Sequence, residues 1–317
     1  MNRRPVVLIY SGQPADDDAL RQIISEHYPE VIPLTANTPE EIAERLPRAE
    51  ILFAWTFPVE FLPLSQNLRW FQVMGAGIDR LVSGPRLPEG VKITNLKGVF
   101  GSSMGEYALA YMLAHTQRIR MIVRHQDERR WVRYDPGRLE GSTVGIAGLG
   151  SIGRDVARRC AALGMRVIGL KRQPGEVPHV ERVYAFAEID RFLPACDYLI
   201  LILPHTPETI GLLTRERLAS LKPGCFIVNM GRGSVVREED LVEALNAGWI
   251  AGAALDVFSR EPLPPESPLW GMENVYITPH IAGTNRPDEL VGPFLENLGR
   301  YLRDEPLLYE VNLSRGY

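Results

Sequence analysis

Thr143–Arg172 constrains the fold of this chain more than any other stretch. Thr143-Val144-Gly145-Ile146-Ala147 is an apolar run of strand length that leads straight into Gly148-Leu149-Gly150-Ser151-Ile152-Gly153. Asp155–Leu163 follows with Val156, Ala157, Cys160 and Ala161 at helical spacing, Gly164 punctuates, and Arg166–Leu170 is a second apolar run. A G-x-G-x-x-G alone is weak evidence; with a strand before it and a helix and strand after it, it predicts a dinucleotide-binding βαβ unit. The first glycine permits the sharp turn, the second lets the backbone approach a pyrophosphate, and the third lets the helix pack on the strand. The N–H groups at the helix start then face an anion. One position departs from the NAD form: the acid that holds the adenosine ribose hydroxyls about 20 residues on is absent. The strand ends Leu170-Lys171-Arg172, and no acid occurs from Gly164 through Gly175. Two adjacent cations there predict a preference for NADPH over NADH, because a phosphate accepts charge-assisted hydrogen bonds from them and no carboxylate repels it. Side chains alternate along a strand, so Arg172, just past its end, is placed to reach the ribose while Lys171 is free to be solvated.

The length of 317 residues predicts two domains, and 45% hydrophobic with 23% charged residues is ordinary globular composition. A net charge of -4 gives no reason to expect nucleic acid or an anionic membrane as a partner. No apolar run approaches the ~20 residues of a membrane span. The basic start Met1–Pro5 leads into the short apolar run Val6–Tyr10, which is expected to be a first strand rather than a signal peptide. Cys160, Cys196 and Cys225 form no C-x-x-C and lie in apolar surroundings, as expected of buried thiols in a reducing compartment, the cytoplasm.

Along the chain, strands are expected at Val6–Tyr10, Val31–Leu34, Ile51–Ala54 and Trp70–Met74, with helices at Asp16–His27 and Pro39–Leu46. Turns rather than hairpin signals follow each strand, so the sheet is expected to be parallel. At two strand ends the residues suit a ligand. Ala54-Trp55-Thr56-Phe57-Pro58 carries large aromatics, and Gly75-Ala76-Gly77 is a turn of small residues able to offer N–H groups to a carboxylate, although a plain turn has the same composition. Ser102–Arg120 is expected as a long helix crossing between the units. Residues 121–142 are a charged, solvated stretch around Trp131, which is expected to pack against a neighbour or a second subunit. After the fingerprint, Tyr198–Leu203, Phe226–Met230, Ala251–Leu255 and Val275–Thr278 are almost wholly apolar, as strands buried on both faces are. Thr214–Leu221 and Glu238–Ala247 are expected as intervening helices, and Pro287–Arg303 as a last helix returning to the first unit. Residues 1–99 with 287–317 are thus expected to form one domain and 100–286 the other.

In open parallel sheets ligands sit beyond the carboxyl ends of the strands. There the second unit presents Gly231-Arg232-Gly233-Ser234, Asp256-Val257-Phe258-Ser259-Arg260-Glu261-Pro262 and Pro279-His280-Ile281-Ala282-Gly283. Each residue has a plain structural alternative: a histidine at a helix start, a solvated loop acid, an aspartate capping a turn. An Arg, an Asp, a Glu and a His at successive strand ends on the cofactor side argue together for chemistry. A guanidinium suits a carboxylate, and a His beside a carboxylate is an acid/base pair. The other histidines show no metal-ligand spacing, so no metal is expected.

The order of these motifs, with Leu203-Pro204-His205-Thr206-Pro207-Glu208-Thr209, Asn229–Gly233, Ala254–Phe258, Glu261–Pro264 and Pro279–Gly283, resembles the D-isomer-specific 2-hydroxyacid dehydrogenase family over nearly the whole chain. The resemblance implies an α/β fold of two doubly wound parallel-sheet domains, a Rossmann dinucleotide-binding domain inserted in a flavodoxin-like substrate domain. It also implies a cleft between the two lobes and a homodimer. It implies that Arg232, Glu261 and His280 are catalytic, and that Gly148, Leu149, Gly150, Ser151, Ile152, Pro204, His205, Met230, Asp256 and Gly283 contact NAD(P), with Lys171 and Arg172 added from the residues. Gly75, Ala76 and Gly77 with Arg232 are then the substrate contacts, beside Trp55 as a pocket aromatic. The implied activity is reduction of a 2-keto acid to a D-2-hydroxy acid by NAD(P)H, with His280 giving the proton and Glu261 favouring the protonated ring. The C-terminal-binding transcriptional co-regulators are also similar and keep the same three residues, so an NAD(P)-sensing binding protein is the alternative.

Overall fold

The computed structural model describes residues 4–79, 81, 84, 87–283 and 286–311. Two compact units separate by their internal contacts, Met1–Val99 with Asn285–Tyr317, and Phe100–Thr284. The expected domain change at 286/287 borders residues 284–285, which lie outside the described residues.

The first unit holds β1 (Val6–Tyr10), β2 (Ile32–Thr35), β3 (Ile51–Ala54), β4 (Trp70–Val73) and β5 (Lys92–Asn95). They form a sheet of order β2-β1-β3-β4-β5 with parallel pairing at every neighbour, the flavodoxin-like arrangement. β3 and β4 are buried at every residue, as strands covered on both faces must be. One cover is the helix Pro287–Leu302, whose Phe294 stacks on Phe53 at 4.1 Å and on Trp70 at 5.3 Å between ring centroids. Its Asn297 donates to Gln72 Oε1 and to the Leu308 carbonyl. Edge strand β5 was not expected: Lys92-Ile93-Thr94-Asn95 is short and mostly polar. Its Thr94 is nonetheless fully buried, accepting from Trp70 Nε1 at 2.7 Å and donating to Gln72 Oε1 at 2.7 Å.

The second unit holds β6 (Thr143–Ala147), β7 (Arg166–Lys171), β8 (Arg182–Ala185), β9 (Tyr198–Leu201), β10 (Phe226–Asn229), β11 (Gly252–Leu255) and β12 (Val275–Ile277). Their order is β12-β11-β10-β9-β6-β7-β8, again parallel throughout. The strand order reverses between β6 and β9, so the loops after these two strands flank the switch point where dinucleotides bind. The short edge strand β8, Arg182-Val183-Tyr184-Ala185, was also not expected from its sequence. The expected helix to Arg120 ends instead at Thr116. Arg118 takes a left-handed φ of 51°, and a separate helix runs from Ile119 to Asp127.

The helix Gly101–Thr116 lays His115 on Phe226, ring centroids 4.2 Å apart. Burial, reinforced by the Arg118 charge, holds the His115 pKa below its ordinary value. A depressed folded-state pKa means that the unfolded chain takes the proton first as pH falls through about 6.5, so this contribution to stability is present above that pH and lost below it. His115→Phe keeps the stack and removes the titration. Urea titrations at about pH 7.5 and about pH 5 are expected to show a smaller loss of unfolding free energy in this variant than in the wild type.

Candidate active site

The fingerprint glycines occupy the three situations that a dinucleotide cradle requires. Gly148 has φ +106°, and a Cβ there would collide with the Ile202 carbonyl. A Cβ at Gly153 would collide with the Gly148 carbonyl, so the helix Ser151–Ala162 approaches β6 only without one. A Cβ at Gly150 would meet nothing within 4 Å. The fold therefore does not need glycine at Gly150, whereas a ligand lying on the backbone does. Gly150 is also the N-cap of that helix and provides no side-chain cap, which leaves the first-turn N–H groups available to an anion. Ser151 is exposed and Ile152 half-buried, but Leu149 is 2% exposed and packs on Gly169. Leu149 thus offers a ligand only its backbone.

Across the switch point, the loop after β9 is braced internally. Thr209 Oγ1 donates to the Pro204 carbonyl at 2.5 Å and accepts the Thr206 N–H at 2.9 Å. His205 is exposed, and its Nδ1 lies 2.7 Å from Ser234 Oγ, which joins this loop to the turn that carries Arg232. Arg172, exposed past the end of β7, faces Glu208 at 3.5 Å, while Lys171 is the last residue of the strand. Met230 is 3% exposed: its side chain lies in the core, and its N–H is taken by the Leu201 carbonyl.

The three residues expected to be catalytic leave adjacent strand ends. Gly231 and Gly233 flank Arg232 because the turn is wedged between neighbouring loops. A Cβ at Gly231 would lie 2.8 Å from the Leu203 N, and one at Gly233 would collide with the Phe258 backbone. Asn229 completes the turn, donating from Nδ2 to the Arg232 carbonyl at 3.1 Å and accepting the Gly231 N–H at 3.2 Å. Phe258, on which Gly233 packs, donates its N–H to Glu261 Oε1 at 2.9 Å, and Glu261 Oε2 lies 2.9 Å from His280 Nδ1. Both carboxylate oxygens are thereby oriented. The ring nitrogen facing Glu261 is the one that carries a hydrogen in either charge state, which leaves Nε2 to exchange a proton. His280 and Glu261 side chains are 51% and 38% exposed, so the pair is open to a reactant.

Asp256 lies beneath the His280 turn. It is 1% exposed, and its two oxygens accept from Thr278 Oγ1, the Ile281 N–H and the Ala282 N–H. Two of these donors meet Oδ1 and one meets Oδ2, so the carboxylate is oriented from within the protein. Gly283, half-buried, follows this anchored turn.

In the first unit, Gly75-Ala76-Gly77 leaves the end of β4, and a Cβ at Gly75 would meet nothing nearer than 3.8 Å. Asn95, which sequence reasoning missed together with β5, donates from Nδ2 to the Ala76 carbonyl at 2.7 Å and holds that turn. Trp55 is half-buried, but Phe57 is 4% exposed, meets Tyr10 edge-on at 5.5 Å and belongs to the core. Among the described residues no group of His, Cys, Asp or Glu is arranged to hold a metal ion, and no helix is long and apolar enough to cross a membrane.

A dinucleotide cradle at the switch point, with an Arg and a His–Glu pair at the next strand ends, defines a nicotinamide-dependent oxidoreductase. The comparisons with known proteins narrow that class. Residues 109–282 match the D-isomer specific 2-hydroxyacid dehydrogenase NAD binding domain. A glyoxylate/hydroxypyruvate reductase A of Klebsiella pneumoniae (strain 342) is 36% identical over 275 residues, covering 85% of this chain and 88% of the relative. A D-isomer specific 2-hydroxyacid dehydrogenase from Xanthobacter autotrophicus Py2, solved with NADPH and MES, superposes with a TM-score of 0.89 at 32% identity over 99% of this chain and 100% of that one. An NADPH-dependent glyoxylate/hydroxypyruvate reductase from Sinorhizobium meliloti, solved with NADP and sulfate, gives a TM-score of 0.91 at 29% identity with the same coverage. The chain belongs to the D-isomer-specific 2-hydroxyacid dehydrogenase family. It is an oxidoreductase of 2-hydroxy and 2-keto acids, built of two parallel-sheet α/β domains of which one is a Rossmann dinucleotide-binding domain.

The wedged turn at Arg232 carries a direct test. Gly233→Ala puts a methyl group into the Phe258 backbone, so either Arg232 or the Glu261 anchor shifts. A displacement on the order of 1 Å corresponds to about 10²-fold in catalysis. The variant is expected to lose about that much kcat/KM with an unchanged far-ultraviolet circular dichroism spectrum.

Proposed function

We propose that this chain reduces a small 2-keto acid of the glyoxylate or hydroxypyruvate type, using NADPH in preference to NADH. The observation that carries the reading is the His280–Glu261 pair, fixed by Phe258 against the Arg232 turn. We assign Phe100–Thr284 as the dinucleotide-binding domain and Met1–Val99 with Asn285–Tyr317 as the substrate domain. The open face of Gly150, the uncapped helix behind it and the Pro204-His205 loop fit a pyrophosphate. Bound there, the reduced nicotinamide would supply a hydride to the carbonyl carbon. Arg232 holds the substrate carboxylate, its planar fork matching two oxygens. Within the first unit, the Gly75-Ala76-Gly77 turn, braced by Asn95, and the half-buried Trp55 are the candidate substrate-binding groups. As negative charge builds on the carbonyl oxygen, His280 gives it the Nε2 proton while Glu261, on Nδ1, fixes which ring nitrogen faces the substrate. In the reverse direction, neutral His280 takes the proton from the hydroxyl.

A panel of 2-keto acids with NADPH tests the reading. Turnover of small members is expected in the wild type, and His280→Ala should lower kcat by roughly 10²–10⁴-fold with NADPH affinity nearly intact. Near-normal turnover in that variant removes His280 as the proton donor.

The cofactor preference rests on Arg172 and Lys171 at the end of β7, where an NAD enzyme carries an acid. Arg172, whose guanidinium faces Glu208 at 3.5 Å, would hold the 2′-phosphate. The ratio of kcat/KM with NADPH to that with NADH is expected to exceed one in the wild type and to fall below one in the Lys171→Asp/Arg172→Ala double variant. A ratio that the double change leaves unaltered refutes the assignment.

Two further proposals concern the chain's setting. The three buried free thiols suit a reducing compartment, and we place the protein in the cytoplasm. We place a homodimer contact on the helix Ile119–Asp127, which buries none of its residues and exposes Ile119, Ile122 and Val123, together with Trp131 at 96% exposed. Apolar surface of this kind, next to an indole left almost wholly exposed, marks an association face. The wild type is expected to sediment as a dimer and a Val123→Glu/Trp131→Ala variant as a monomer; a monomeric wild type at micromolar concentration overturns the contact.

A further inference from the structure

Beneath the His280 turn runs a hydrogen-bond chain that the reaction itself does not use. Thr278, 7% exposed, donates its hydroxyl to Asp256 Oδ1 at 2.6 Å. A hydroxyl carries one hydrogen, and that of Thr278 is committed to Asp256. The Tyr107 phenol, 2.8 Å from Thr278 Oγ1, is therefore the donor in that contact. Burial pushes the Tyr107 phenol pKa far above its ordinary value, which keeps it a donor across the physiological range. Asp256 accepts in addition the Ile281 N–H at 2.8 Å and the Ala282 N–H at 2.9 Å, while its backbone carbonyl accepts the His280 N–H at 2.9 Å. These bonds bracket a strained residue: His280 has φ +56°, in the left-handed region that β-carbon-bearing residues seldom adopt. Such a conformation persists only where its surroundings over-determine it.

We propose that Tyr107 is a positioning residue for the proton donor His280, acting through Thr278 and Asp256. Donation from Tyr107 directs the Thr278 hydroxyl at Asp256 and polarises it, and a chain of buried hydrogen bonds strengthens cooperatively. The Asp256 carboxylate is then held from Thr278 on one side while it holds the Ile281 and Ala282 N–H groups on the other. Without the phenol hydroxyl, Thr278 Oγ1 loses a buried donor and its hydroxyl is no longer directed. The carboxylate under the His280 turn then has one restraint fewer. The groups facing this arrangement are Glu261 on the His280 ring, Asp256 below it, and Tyr111, whose ring lies 4.5 Å from that of Tyr107. The inference rests on the assignment of His280 as proton donor.

Tyr107→Phe keeps the ring and its contact with Tyr111 and removes only the hydroxyl. In reduction of a keto acid by NADPH it is expected to lower kcat by about 10-fold, leave both KM values within about twofold and raise the solvent deuterium isotope effect on kcat, because a misaimed donor makes proton transfer more limiting. Thr278→Ser keeps the hydroxyl and should retain wild-type kcat, whereas Thr278→Val should lose at least as much as Tyr107→Phe. The Tyr107→Phe/Thr278→Val double variant should be no slower than Thr278→Val alone, since both changes act on one route. A Tyr107→Phe enzyme with wild-type kcat and isotope effect, whatever its melting temperature, overturns the proposal, as does a Thr278→Ser variant as slow as Thr278→Val. The two assignments fail separately. Near-normal turnover in His280→Ala removes the proton donor itself, while an inactive His280→Ala beside a wild-type-like Tyr107→Phe removes only the role of Tyr107.

Discussion

Every pair of neighbouring strands in the seven-stranded sheet is parallel, so every strand releases its chain at the same edge. The candidate active-site residues of this unit depend on that constraint. The cofactor turn follows β6, its opposing loop follows β9, and Arg232, Glu261 and His280 follow β10, β11 and β12. Adjacent strands lie about 4.8 Å apart, so these loops meet only if their backbones pack without intervening side chains. The glycines at 231 and 233 meet that demand against Leu203 and Phe258. Arg232 is aimed by the close packing of its neighbours rather than by contacts of its own side chain alone.

Polar contacts then set direction. Glu261 has one oxygen on the Phe258 N–H and the other on His280, so the residue that orients the imidazole is itself fixed to the Arg232 turn through Phe258. Asp256 does for the backbone of the His280 turn what Glu261 does for its ring. A buried carboxylate with three donors is well satisfied, and removing any one of them leaves a polar group stranded away from water.

The first unit uses a different balance. Phe53, Trp70 and Phe294 stack to hold the helix Pro287–Leu302 on its sheet, a largely apolar seam. Within it Gln72, Thr94 and Asn297 form a small buried polar network in which Thr94 donates to Gln72 and accepts from Trp70. That network anchors β5, and β5 in turn delivers Asn95 to the Ala76 carbonyl. A chain segment with little apolar character is thus drawn into the sheet by hydrogen bonds, and it braces the small-residue turn proposed to meet the substrate.

Much of this was legible in the residues alone. The apolar runs of β6, β9, β10 and β11, the fingerprint and the strand-end positions of Arg232, Glu261 and His280 follow from local pattern, because buried parallel strands and tight turns tolerate few residue types. The edge strands β5 and β8 were not legible, since Lys92-Ile93-Thr94-Asn95 and Arg182-Val183-Tyr184-Ala185 carry no strong apolar signal, although three of the four residues of β5 are buried. The break at Arg118 was equally silent, for a left-handed arginine has no sequence mark. The direction of each side chain also lay beyond sequence. Phe57, Leu149 and Met230 sit beside ligand-facing positions yet point into the core. Asp256, placed by motif among cofactor contacts, turns inward to Thr278, Ile281 and Ala282. Local sequence determined which residues emerge at the sheet's carboxyl edge. Which way each one faces was decided by long-range contacts between loops far apart in the chain, and only the tertiary structure contains those.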